Sequence, residues 1–127
     1  MRENVDLERK ILNYLEENDE FNKGVNKEEF SAFIDICGIE EKIVTKHLDL
    51  LRQRNFINVV HLDDDDGFYY DYVITGITAT GYDFIVSTRN NKVWESIKEK
   101  LTNKGLDIGL TVIVEYLPII IKTMIER

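Results

Sequence analysis

Four consecutive aspartates, Asp63 to Asp66, with Gly67 after them, are the densest set of potential ligands in the chain. Carboxylates at that density suggest a calcium loop. An EF-hand loop needs acids at positions 1, 3 and 5, glycine at 6 and an acid at 12. With Gly67 at position 6, Leu62 falls at position 1 and Val73 at position 12. The pattern fails at both ends, so no metal site is expected. Cys37, His47 and His61 are scattered without the ligand spacing of a zinc site. Nucleophilic chemistry has no better support. Cys37 falls on an apolar helix face, where a small core residue is expected, and His47 falls on the core side of its own helix. His61 stands beside the acidic turn, with no second histidine or cysteine near it in the sequence. The glycines are isolated and make no phosphate loop. No catalytic residue, metal or cofactor is assigned, and the chain is expected not to be an enzyme.

Binding chemistry is better represented. Lys42, Thr45, Lys46 and Gln53 project from one side of the helix spanning roughly Glu40 to Asn55, by the ~100° step per residue. Such side chains contact phosphates and base edges, so these four are the candidate DNA-facing residues of a recognition helix. Charge argues against that use. Glu40 to Arg54 holds four bases and three acids. From His61 to Ile85 there are six acids and no lysine or arginine. At short range each like-charge contact with a phosphate costs on the order of 1 kcal/mol even in a water-like dielectric. A second binding candidate lies near the C-terminus. Leu110, Ile113, Val114, Leu117, Ile121, Met124 and Ile125 form one helical stripe. Val112, Tyr116, Ile119 and Ile120 point largely elsewhere and are the candidate self-association residues.

The elements that must position these residues follow from periodicity. Leu7, Ile11 and Leu15, with Leu12 beside them, give a helix from about Val5 to Asn18. Asn26, with Glu29 three residues on, has the spacing of a capping box. It opens a second helix whose face is Phe30, Phe33, Ile34 and Cys37, ended by Gly38. After the third helix the period changes from 3.6 to two. Phe56 to Leu62 and Phe68 to Thr75 read as strands, with a turn at Asp63 to Gly67. Thr78 or Thr80 caps a short helix carrying Tyr82, Ile85 and Val86. Another helix runs from about Asn91 to Lys104, with Trp94, Ile97 and Leu101 on one face and Gly105 at its end. Asp107 caps a last helix to about Glu126, although Val112 to Val114 also suit a strand and Pro118 bends a helix.

The 127 residues, 43% hydrophobic and 31% charged, fit one globular domain rather than a disordered chain. The net charge of −8 opposes non-specific nucleic-acid binding. The single cysteine forbids an internal disulfide and suits a reducing cytosol. The charged N-terminus has no apolar signal-peptide core. The apolar stretch from Ile108 to Ile125 is interrupted by Glu115 and Lys122 and is too short to span a membrane.

Two segments carry a resemblance. HLDLLRQRNFI, His47 to Ile57, is similar to the end of the third helix and start of the wing in winged-helix proteins. ITATGYDFIVSTRNNKVWESIKEKLTNKG, Ile77 to Gly105, resembles the core of an uncharacterised bacterial, largely prophage-encoded family. The matching positions are Thr78, Gly81, Asp83, Phe84, Arg89 and Trp94, with Tyr82 where that family more often has histidine. The resemblance implies a winged-helix fold and a phage or prophage origin, and no reaction. The expected class is therefore α+β: a winged helix over residues 1–78 with a helical extension over 79–127, in one domain. The expected function is non-enzymatic, cytoplasmic macromolecule binding, through protein interaction or homodimerisation, with a host or phage protein as a further partner. The alternatives are a sequence-specific DNA-binding regulator and an acidic nucleic-acid mimic acting through the wing.

Overall fold

The computed structural model of the protein describes residues 2–18, 23–103 and 109–125. Helix α1 spans Val5–Glu17. Its N-terminus is closed by Asn4, whose side chain accepts from the Leu7 N–H. The expected stripe of Leu7, Ile11, Leu12 and Leu15 is buried, and Glu8 is buried with it. A two-residue strand β1, Val25–Asn26, precedes helix α2, Lys27–Cys37. The capping box forms as its spacing predicts. Asn26 Oδ1 accepts from Glu29 N–H at 2.9 Å and Glu29 Oε1 accepts from Asn26 N–H at 3.3 Å. Phe30 and Phe33 are buried from this helix, and Gly38 ends it in the left-handed region at φ 64°.

Helix α3, Glu41–Gln53, leads into strands β2, Ile57–Asp63, and β3, Tyr69–Ile77. The sheet is antiparallel in the order β1-β3-β2. The tip of the hairpin falls one residue later than its composition suggests, because Asp63 still pairs with Tyr69. Asp64 sets the turn. Its Oδ1 accepts from the N–H groups of Asp66 and Phe68, each at 2.9 Å, and Gly67 supplies φ 82°. Strand β1 escapes the sequence reading because two residues are too few for an alternation to register.

Helices α4, Ala79–Ser87, α5, Asn91–Asn103, and α6, Leu110–Ile125, complete the chain. The class is α+β, with six helices and a three-stranded antiparallel sheet among the described residues. Helix α6 continues through Pro118, so the strand-like run Val112 to Val114 is helical. The expected ends at Gly105 and Asp107 lie outside the described residues. A continuous buried cluster runs from Val5 on α1 to Ile120 on α6.

The segment around Gly81 docks α4 on the sheet. Thr78, and not Thr80, is the N-cap. Its hydroxyl accepts from Gly81 N–H at 3.0 Å and donates to the Asn55 carbonyl at 2.6 Å. This pulls the first turn of α4 against Phe56. A Cβ on Gly81 would stand 2.3 Å from the Phe56 carbonyl oxygen and 2.7 Å from Ile77 Cγ2. Both obstacles are in well-packed structure, so Gly81→Ala is expected to cost about 2–3 kcal/mol. Chemical denaturation of the variant measures this, and a loss within error of zero would mean that α4 shifts freely.

Candidate macromolecular interface

Helix α3 carries most of the residues proposed for recognition. Val44, His47, Leu48 and Leu51 are buried on its inner side, as expected. Thr45 is buried as well, which corrects its placement on a DNA-facing surface. Its hydroxyl turns back to the Lys42 carbonyl at 3.2 Å. The physical reason is the hairpin. The side of α3 bearing positions 42, 45, 46 and 49 leans on β3 and the residue before it. The ammonium groups of Lys42 and Lys46 lie over the Phe68 ring, at 4.9 and 5.0 Å from its centroid. Asp49 accepts from the Tyr69 hydroxyl at 2.7 Å, from Arg52 at 2.9 Å and from Gln53 at 2.6 Å. Burial pushes the Asp49 carboxyl up, but these donors outweigh it and hold it below its usual range. Ile43, next to buried Val44, is exposed. Beside the two lysines, the outer surface of α3 therefore presents Ile43, half-buried Leu50 and a Gln53 committed to Asp49.

The hairpin carries the opposite charge. His61 Nδ1 lies 2.7 Å from Asp63 Oδ1, and its ring stacks on Tyr69 at 4.4 Å. Asp64, Asp65, Asp66 and Asp71 are exposed. Its outer face is apolar. Val60 pairs with Val73 and Leu62 with Asp71 across the strands, which puts all four on one side of the sheet. Val60 is 67% and Leu62 54% exposed, and Val73 is exposed too. The inner side takes Ile57, which is buried, with Val59 and His61 partly covered. Sequence reasoning missed this face, although its signal was present. FINVVHL has adjacent apolar pairs, Phe56–Ile57 and Val59–Val60, rather than a strict alternation, and one core buries only one parity of a strand.

Two strongly perturbed carboxyls sit elsewhere, where α1 meets α3 and α6. Arg54 forms an ion pair with Glu3, its Nη2 standing 2.6 Å from Glu3 Oε1. Glu3 Oε2 also accepts from the Leu110 N–H at 3.0 Å, at the start of α6. Burial raises Glu3, but Arg54, Glu8 and Leu110 together bring it down to about 2. Fully buried Glu8 goes the other way. Burial, then its hydrogen bond to Glu3 and the charge there, push it up to about 10. His47 joins the same junction. Its Nε2 accepts from Asn4 N–H at 2.8 Å and its Nδ1 donates to the Ile43 carbonyl at 2.7 Å. Glu8 and His47 have no exposed surface for a substrate to reach. The junction ties three helices together and is structural. The Cys37 thiol is pushed up by burial, which leaves less thiolate. Among the described residues no group of three His, Cys, Asp or Glu is placed to hold a metal ion.

Helix α6 differs from the expected self-association surface. Ile120 is 6% exposed and belongs to the core. Val112 and Tyr116 are half-buried, and Ile119 alone of the four is exposed. The buried stripe is Leu110, Ile113, Leu117 and Ile120, which rotates the helix away from the expected packing and leaves Val114 exposed. Against α4 this helix leaves a groove of about 410 Å³ lined by Phe56, Phe84, Leu117, Pro118 and Ile121, with Asp83 at its rim. No helix is long and apolar enough, among the described residues, to cross a membrane.

Of the motif residues, Phe84, Arg89 and Trp94 join Thr78 and Gly81 in holding the helices together, and Asp83 is exposed. Phe84 meets Phe56 and Trp94 edge-on at 5.6 and 6.0 Å. Arg89 pairs with Glu16 at 2.8 Å, and Trp94 Nε1 donates to Asp6 at 2.8 Å. These residues bring α4 and α5 onto α1. The chain is similar to an uncharacterized protein of Haemophilus influenzae, with 26% identity over 125 residues, covering 98% of this chain and 99% of that protein. No solved structure matches it. The family described as "Hypothetical protein (DUF2513)" matches residues 2–107, which takes in the Thr78 to Trp94 segment. The chain therefore belongs to this family of hypothetical proteins.

Proposed function

We propose that α1 to β3 form a winged helix and that the protein works by binding another protein, not DNA. Two observations support the fold reading. The elements follow in the order α1, β1, α2, α3, β2, β3, and β3 lies between β1 and β2 in the sheet. That is three helices, the last two joined by a short turn, closed by a hairpin. The functional reading rests on what the hairpin does to the recognition surface. Lys42 and Lys46, the cations of that surface, are drawn onto Phe68. The tip that should lie along a phosphate backbone carries Asp63 to Asp66 instead. A surface of two lysines, Ile43, Leu50 and an acidic hairpin suits a protein partner better than a polyanion. Self-association through α6 loses its main argument, since that helix covers most of its own apolar surface.

Anisotropy of labelled random duplex at physiological salt tests this. The expected affinity is weaker than the ~10⁻⁴ to 10⁻⁶ M of ordinary non-specific binding. Micromolar binding that falls steeply as salt is added would overturn the reading in favour of a DNA-binding regulator. In that event Lys46→Glu, on α3, should weaken binding more than Lys98→Glu, because Lys98 lies on α5 with its ammonium tied to Asp6 of α1.

A further inference from the structure

We infer that the outer edge of β2 is a docking site for an extended, lysine- or arginine-bearing segment of a partner protein, added as a fourth strand. This rests on the protein-binding reading above and names the surface and the partner chemistry. Strand β2 is at the edge of the sheet, paired on one side only with β3. At seven residues it is long for an unprotected edge, and alternate N–H and C=O groups along it turn away from β3. Natural edges are usually blunted by an edge lysine, a proline or a covering element. The sequence INVVHLD has no lysine and no proline, and the two register shifts of the hairpin put their extra residues, Tyr70 and Thr75, on β3 rather than on β2. Its outward side chains are Val60 and Leu62, and Val73 continues the apolar strip across the sheet. An added strand would place alternate side chains beside Val60 and Leu62, the pairing by which one strand selects another.

The charge of the occupant follows from what surrounds the strip. Asp63, Asp64, Asp65 and Asp66 cap one end of the edge, and Asp71 lies next to Leu62. From His61 to Ile85 the chain has no lysine or arginine, and the cations that reach the hairpin from elsewhere, Lys42 and Lys46 over Phe68 and Lys27 at the Tyr70 carbonyl, are fewer than these five aspartates. A second copy of the chain would bring the same aspartates and a further charge of −8. A segment with alternating apolar residues and a cationic end meets the strip and the tip together.

The probe is a labelled peptide matched to β2 in length, alternating valine and threonine and ending in a run of lysines. Two control peptides replace its valines by glycine or its lysines by glutamate. Binding of the first is expected to slow amide exchange along Ile57 to Asp63 and to weaken with salt. The double variant Val60→Thr, Leu62→Thr keeps strand propensity and removes the apolar strip. The double variant Asp65→Asn, Asp66→Asn leaves the turn-forming Asp64 in place. Each is expected to lower affinity about tenfold, with the exchange pattern of the free protein unchanged. Equal binding of the glycine peptide without protection of β2 would overturn the proposal, since charge alone would then explain it. Equal binding of the glutamate peptide would overturn it as well, as would no binding. Protection of β2 that grows with protein concentration in the absence of peptide would make the occupant a second copy. If the peptide fails while duplex DNA also stays unbound, the edge is wrong and the protein-binding reading stands. Micromolar DNA binding removes that reading itself.

Discussion

Replacing Glu8 with glutamine should stabilise the protein at pH 8 by about 2–4 kcal/mol and flatten its stability between pH 5 and 9. The sign follows from where the proton sits. Glu8 is fully buried beside the Glu3 carboxylate, and its value rises from 4.5 to about 10. Folding above pH 4.5 therefore requires the ionised carboxylate of the unfolded chain to take up a proton. The stability associated with the neutral group is fully present below about 4.5 and is lost as pH rises toward about 10. Each pH unit in that interval removes on the order of 1 kcal/mol. Glutamine has the same shape, needs no proton and can donate an amide N–H to Glu3. Arg54 does not rescue the ionised form of Glu8. It stands 3.5 Å from Glu8 and is already paired with Glu3.

The neighbouring substitution should act in the opposite direction. Glu3 is held down to about 2, so its contribution is present above 4.5 and is lost as pH falls through about 2. Glu3→Gln would leave Arg54 half-buried without its partner and weaken the acceptor for the Leu110 N–H. A loss of about 2 kcal/mol is expected at neutral pH. Denaturant titrations of both variants at pH 5, 7 and 9 test the pair. If Glu8→Gln proves destabilising at every pH, Glu8 is ionised in the folded state and the order of the two carboxyls is reversed.

How legible this was from sequence differs by element. The caps at Asn26 and Gly38 and the hairpin are local, since each depends on residues within a few positions. Those follow from spacing and turn chemistry. The Asp64 turn was nearly legible; only its register moved by one residue. What escaped depends on a second element approaching. Thr45 is polar and sits with Lys42 and Lys46 by helical angle, so no one-dimensional pattern separates it from them. The sheet laid along α3 does. Helix α6 shows the same limit. It is apolar on nearly every side, so periodicity cannot choose which side packs, and the observed stripe through Ile120 is fixed by α5. Glu8 escaped for a related reason. Its helical position is core-facing, but a charged residue read alone is assigned to solvent, and only Glu3 and Arg54, 46 residues away from it along the chain, make it tolerable. The outer face of β2 was written in the sequence as the adjacent pair Val59 and Val60, followed by Leu62. It was taken for strand propensity, because one sheet face is normally enough to explain such a run.

Trp94→Ala should be the most damaging substitution in the C-terminal half, at about 3–5 kcal/mol. Trp94 is the chain's one tryptophan and is 1% exposed. Its ring meets Phe84 of α4 at 6.0 Å, and Arg9 of α1 lies over it at 5.2 Å. Its indole N–H is satisfied by Asp6, which also pairs with Lys98 one turn along α5. The residue therefore fastens α5, and through it α6, to α1. Removing it leaves a cavity, an Asp6 held by Lys98 alone, and two cations, Arg9 and Lys98, without their aromatic surface. Against a typical total of 5–15 kcal/mol, that is a large share. Because the buried cluster is continuous from Val5 to Ile120, the loss should appear as one cooperative transition shifted to lower denaturant. Trp94→Phe separates the contributions. It keeps most of the ring packing and loses the bond to Asp6, so about 1–2 kcal/mol is expected. Far-ultraviolet circular dichroism in a urea titration measures both variants. A biphasic transition for Trp94→Ala, with helix lost first and the sheet retained, would show that α5 and α6 fold as a separate unit on a self-sufficient α1 to β3 core.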